Sequence, residues 1–172
     1  MLQRSKVQSD KKPSKQTLHF IWVPNSNAGT ISKVDTQSGE EIGRYRTGPT
    51  SGGSPSRTTV DLKGNCWVGN RTTGTVVTVA LFENSQCKDR NGNGVIETSN
   101  GTVALAWGED ECVLFEVVLD KRREGTYQPG RFKGGTNSSG PRGIAIDADN
   151  NLWAGSNSTM LYYLLKQPER PY

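Results

Sequence analysis

The chain has 172 residues, a formal net charge of +4 and an apolar content of 32%. It carries no run of about 18 apolar residues, so no segment reads as a membrane-spanning helix. One histidine and three cysteines, with no Cys-x-x-Cys pair, make a poor donor set for zinc.

Residues 1–18 read as a disordered basic tail. Arg4, Lys6, Lys11, Lys12 and Lys15 stand against Asp10, so this segment alone carries the net charge of the whole chain. The remainder balances to zero, and no nucleic-acid or membrane partner is expected. The tail lacks the apolar stretch of a signal peptide.

Residues 19–172 are organised by a block that returns around tryptophan. It runs Trp22-Val23-Pro24-Asn25, then Trp67-Val68-Gly69-Asn70, then Trp153-Ala154-Gly155-Ser156, at spacings of 45 and 86 residues. The first interval also carries Gly29-Thr30-Ile31 onto Gly74-Thr75-Val76. The second carries Pro55 onto Pro141, Val60-Asp61 onto Ile146-Asp147, and Asn65 onto Asn151. A self-similar unit of about 43 residues is the mark of a repeat architecture.

In chain order, Trp22 begins a strand and Thr30 to Val34 a second. Asp35 to Gly39 is a turn, and Glu40 to Tyr45 is a more polar strand. Thr58-Thr59-Val60 and Ile144-Ala145-Ile146 are short β-type runs. Lys63-Gly64-Asn65 and Asp149-Asn150-Asn151 are tight turns, since Gly and Asn tolerate positive φ. Cys66-Trp67-Val68 and Leu152-Trp153-Ala154 return as strands, and Val76 to Phe82 follows the first of them. Residues 83–112 interrupt the pattern as an insertion, and Val113 to Leu119 resumes a strand. Lys121-Arg122-Arg123 is a charged turn, and Gly125 to Gly140 a glycine-rich loop without a phosphate-binding pattern. Three or four short antiparallel strands per unit predict an all-β fold built from four-stranded β-propeller blades. The recurring Asp61 and Asp147 are expected to cap turns, and the tryptophans to pack between blades.

The segments Ser56 to Asn70 and Pro141 to Trp153 resemble the NHL-type and streptogramin-lyase-like propeller repeat. The resemblance covers roughly residues 19–82 and 139–165. It implies a propeller that binds a protein or carbohydrate ligand at one face. It also implies, as the alternative, a metal-dependent lyase or hydrolase like streptogramin (virginiamycin B) lyase, which opens a cyclic lactone with a histidine base. His19 matches no catalytic motif of that family, so the expectation is a binding or scaffold module with no catalytic residue assigned. A closed propeller has four to eight blades, and about three fit here. The chain is therefore expected to be a fragment of a longer secreted or periplasmic protein, with self-association as another route to closure.

The insertion contains Asp89-Arg90-Asn91-Gly92-Asn93-Gly94-Val95-Ile96-Glu97, which follows an EF-hand or dockerin-type calcium loop at its first positions. Asp89, Asn91 and Asn93 offer side-chain oxygens at alternate positions. Val95 offers its carbonyl, Glu97 a carboxylate directly or through water, and Gly94 the sharp turn. Asn100 stands where an EF-hand has its bidentate Glu, so Asp110 and Glu111, from an acidic triplet with Glu109, are expected to complete the Ca²⁺ site. A Cys87–Cys112 disulfide would close the insertion, contribute about 3 kcal/mol in the chain-entropy account and imply an oxidising compartment. Cys66 is expected to be a small buried hydrophobe.

Overall fold

The computed structural model describes residues 18–119, 140–156 and 162–165. The tail at 1–17, the charged turn at 121–123 and nearly all of the glycine-rich loop lie outside the described residues.

The chain is all-β. The first sheet holds β1 (Phe20–Asn25), β2 (Thr30–Asp35) and β3 (Glu41–Arg46). The second holds β4 (Pro55–Val60), β5 (Cys66–Asn70), β6 (Thr75–Val79) and β7 (Val113–Val118). The third holds β8 (Pro141–Ile146), β9 (Leu152–Ser156) and β10 (Tyr162–Leu165). Within each sheet, strands consecutive in the chain pair antiparallel. The expectation of four strands per unit holds for the second sheet. Among the described residues the first sheet has no counterpart of β4 and the third none of β7. The strand that Gly74 opens runs Thr75–Val79, as its repeat alignment with Thr30–Val34 predicts, and stops short of Phe82, where residues 82–84 wind into a 3-10 turn.

The repeat is structural as well as sequential. Trp22 faces Lys33, Trp67 faces Thr78 and Trp153 faces Leu164, the same offset in three hairpins. The β1–β2 and β5–β6 turns end on Gly29 and Gly74, at φ of 64° and 67°. Asn25 Nδ2 donates to Thr30 Oγ1 at 3.2 Å in the first, and Asn70 Nδ2 to Thr75 Oγ1 at 2.8 Å in the second.

The β4–β5 and β8–β9 turns are also copies. Asp61 Oδ1 accepts from the backbone N–H of Lys63 and Asn65, each at 2.9 Å, and Oδ2 accepts from Asn65 Nδ2 at 3.1 Å. Asp147 Oδ1 accepts from the N–H of Asp149 and Asn151 at 3.0 and 2.8 Å, and Oδ2 from Asn151 Nδ2 at 3.2 Å. The side chain takes over the hydrogen bonds that a tight turn leaves open. Gly64 and Asn150 occupy the positive-φ position, at 88° and 64°.

The second sheet lies between the other two. Strand alternation sends Cys66 and Val68 to one face and Trp67 to the other. Cys66, Val68, Val77 and Val79 pack with Ile31 and Tyr45 of the first sheet, and Trp22 joins this cluster. Trp67, Val76, Phe115 and Val117 pack with Leu152 and Ala154 of the third. Trp67 is buried and meets Phe115 edge-on, with ring centres 5.3 Å apart. Arg57 Nε donates to the Arg142 carbonyl at 2.9 Å, joining β4 to β8.

Candidate functional site

The insertion leaves the second sheet at the end of β6 and returns at β7. Its neck is fastened three ways. Cys87 and Cys112 form a disulfide. Ala80 N donates to the Cys112 carbonyl at 2.7 Å, and Lys88 N to the Glu111 carbonyl at 3.0 Å. It emerges beside the Asp61 turn, where Leu81 N donates to Asn65 Oδ1 at 3.1 Å. Ile96 and Trp107 are half-buried against the core shared by the first two sheets. Ser99 Oγ accepts from Arg44 N at 2.9 Å and ties the insertion to β3.

Within residues 89–97 side-chain oxygens accept hydrogen bonds from the loop's own backbone. Asp89 accepts from Gly92 N at 2.7 Å and from Gly94 N at 2.8 Å. Asn91 Oδ1 accepts from Asn93 N at 2.9 Å, and Asn93 Oδ1 from Val95 N at 2.8 Å. Asn91 Nδ2 and Asn93 Nδ2 donate to the two oxygens of Glu97, at 3.0 and 2.6 Å. Gly92 and Gly94 sit at φ of 73° and 83°, which lets so short a loop close. Hydrogen bonds thus tie Asp89 to Gly92 and Gly94, and Asn91 and Asn93 to Glu97. Each amide oxygen engages one N–H and keeps a second lone pair. The Val95 side chain points to solvent.

The two further carboxylates play unequal parts. Glu111 lies under the loop and accepts backbone N–H groups from Arg90 at 2.7 Å, Asn91 at 3.4 Å and Glu97 at 3.0 Å. Desolvation pushes its carboxyl up, and these backbone donors more than offset that, so it is held below the usual range. The Glu97 side chain lies beside it. Asp110 is turned the other way. It accepts from Thr98 Oγ1 at 2.9 Å, Cys112 N at 2.9 Å and Ser99 N at 3.0 Å. Burial pushes its carboxyl up against these hydrogen bonds. The two carboxylates sit in a turn closed by Val113 N donating to the Asp110 carbonyl at 3.1 Å, and they leave it in different directions: Glu111 reaches the loop and Asp110 braces the neck.

Arg90 has a role that spacing did not disclose. Its guanidinium donates to the carbonyls of Val113 at 3.1 Å, Gly108 at 3.0 Å and Asp110 at 2.8 Å. It staples the outgoing arm of the insertion to the returning one. Beside the loop lies an open cleft of about 730 Å³, lined by Arg90, Asn91, Ile96, Glu97, Leu105 and Glu111 among others.

Among the described residues no three His, Cys, Asp or Glu side chains converge as a metal cluster. A cation here would rest on a mixed set: carboxylates from Asp89 and Glu97, amide oxygens from Asn91 and Asn93, the Val95 carbonyl and water. All are hard oxygens, the donor type calcium takes. His19 is exposed just before β1.

No family model, no curated protein and no solved structure matches this chain.

Proposed function

We propose that the three sheets are consecutive blades of a β-propeller, and that the chain is a binding module with a structural calcium site in the loop 89–97. The observation that carries the blade reading is the register shared by Trp22, Trp67 and Trp153 together with the repeated stacking of one sheet on the next. The ligand, a protein or a carbohydrate, would dock at the end where the Asp61 turn, the Asp147 turn and the insertion come together. Leu62 N donates to Asn150 Oδ1 at 2.7 Å there, which fixes the two turns side by side.

Calcium is supported by the hard-oxygen side chains of Asp89, Asn91, Asn93 and Glu97 within one short loop, with the Glu111 carboxylate beside Glu97. With two local carboxylates, affinity falls at about 10⁻⁵–10⁻³ M, the range of weak sensors and extracellular modules. The disulfide supports an oxidising compartment, secreted or periplasmic.

Calorimetric titration with CaCl₂ tests the site. At a calcium concentration about 100 times Kd, binding adds about 2.7 kcal/mol to stability. Asp89→Ala should lower the melting temperature in calcium and leave it unchanged in chelator. Equal shifts in both would remove calcium from the proposal. Glycan-array and protein-capture screens test the ligand face. Retention that Lys63→Glu and Asp149→Lys leave untouched would place the ligand elsewhere.

A further inference from the structure

Each outer sheet leaves one face open, and the two open faces differ. On the third sheet the cross-strand partners Trp153 and Leu164 are 43% and 41% exposed. On the first sheet Ile21 and Val23, which alternate with Trp22 along β1, are 52% and 36% exposed. Inside the chain faces of these two kinds already cover each other, twice. Trp67 packs with Leu152 and Ala154, the residues flanking Trp153. Trp22 packs with Cys66 and Val68, the residues flanking Trp67. At each junction a tryptophan meets the pair that brackets the tryptophan of the following sheet. Ile21 and Val23 are that pair for Trp22, and no preceding sheet among the described residues covers them.

We propose that the Trp153 face of one copy docks on the Ile21–Val23 face of a second copy, and that two copies close a ring of six sheets. The contact itself rests on analogy with the two internal junctions; the Ile21–Val23 face carries in addition the Arg44–Glu41 ion pair at its β3 side. The count rests on the propeller reading. Closed propellers have four to eight blades, the described residues of each copy bring three sheets, and six is the multiple of three in that range. A head-to-tail contact of this kind either closes by rotation or grows without limit, and two copies satisfy the first condition. The exposed apolar side chains at both ends are what such a junction would remove from water.

Native mass spectrometry and light scattering of the 172-residue chain test this. The expected species has twice the 18.8 kDa mass of one chain. Trp153→Asp and Val23→Asp should each give monomers with unchanged far-ultraviolet circular dichroism. Mixed in equal amounts, the two variants should regain a dimer weaker than wild type. The intact Trp153 of one still meets the intact Ile21 and Val23 of the other, while the second junction carries both lesions. If either aspartate variant fails to fold, Trp153→Ser and Val23→Ser give the same comparison. A wild-type monomer at concentrations up to roughly 200 µM would overturn the proposal and leave the blade reading standing. A dimer lost in Trp153→Asp but kept in Val23→Asp would also overturn it, since that is the pattern of two tryptophan faces meeting each other. An assembly of three copies would overturn the six-sheet ring and the propeller reading together.

Discussion

Trp67 Nε1 donates to Asp61 Oδ2 at 3.2 Å, from a position six residues further along the chain. Trp153 and Asp147 repeat that pair at 2.8 Å over the same separation. The carboxylate that shapes the turn thus also anchors the indole on the returning strand. One residue sets both the turn and the rotamer of the side chain that packs between sheets.

Asp61→Ala should therefore destabilise the fold by about 2–3 kcal/mol, since it strands Trp67 Nε1 and Asn65 Nδ2 in a buried site. Urea denaturation measures this. A loss of less than about 0.5 kcal/mol, the level of an ordinary surface change, would show that the network contributes little.

Asp147 carries the pH prediction. Its carboxyl is held below the usual range, first by the Trp153 indole N–H and then by the Asn151 backbone N–H. A folded-state value below the unfolded one gives stability that is complete above about pH 4 and is lost as pH falls through the folded value. Trp153→Phe removes the leading cause, so the Asp147 titration midpoint should rise. Carboxyl-carbon NMR reads it directly, and an unmoved midpoint would disprove the assignment.

Asn150 holds a backbone shape that suits glycine, yet its side chain accepts from Leu62 N on the neighbouring sheet at 2.7 Å. Asn150→Gly should keep the turn and lose the link. Asn150→Ala should lose the link and also strain the turn, for a total of about 2 kcal/mol. The expected stability order is wild type, then glycine, then alanine. Alanine above glycine would mean that the conformation matters little.

Cys66 is fully buried between the first two sheets, and burial pushes its thiol well up. It should resist thiol reagents in the native protein and react once the protein unfolds, one thiol per chain with the disulfide intact. Rapid native labelling would place it at the surface instead.

Cys87 and Cys112 are separated by 25 positions. Replacing both by serine should lower stability by about 3 kcal/mol. Calcium titration of the same variant tells whether the neck also organises the loop. A variant that binds as tightly as wild type would show the loop to be autonomous.

The tryptophan hairpins were legible in the sequence because their determinants are local. Alternation sets which side chain faces which sheet, and Asp61 and Asp147 complete their turns within four residues. The neck of the insertion was legible because two cysteines flank it. Arg90 was not, since the carbonyls it gathers are brought near only by folding. Nor was the division of labour between Asp110 and Glu111, which depends on the turn that closes between Asp110 and Val113. Trp22 shows the limit of the repeat. Its Nε1 is buried with no hydrogen-bond partner among the described residues. The counterpart of Asp61 is Gln16, which lies outside them.

The clamp at the neck of the insertion has a kinetic consequence. Without it, β7 must find β6 after closing a loop from residue 80 to 112. Once Cys87 and Cys112 are joined, the search runs through a far shorter path, and the entropy of closure falls with the logarithm of that length. Oxidation ahead of the final pairing would thus speed completion of the central sheet. The span beyond the clamp is then free to vary in length without slowing it.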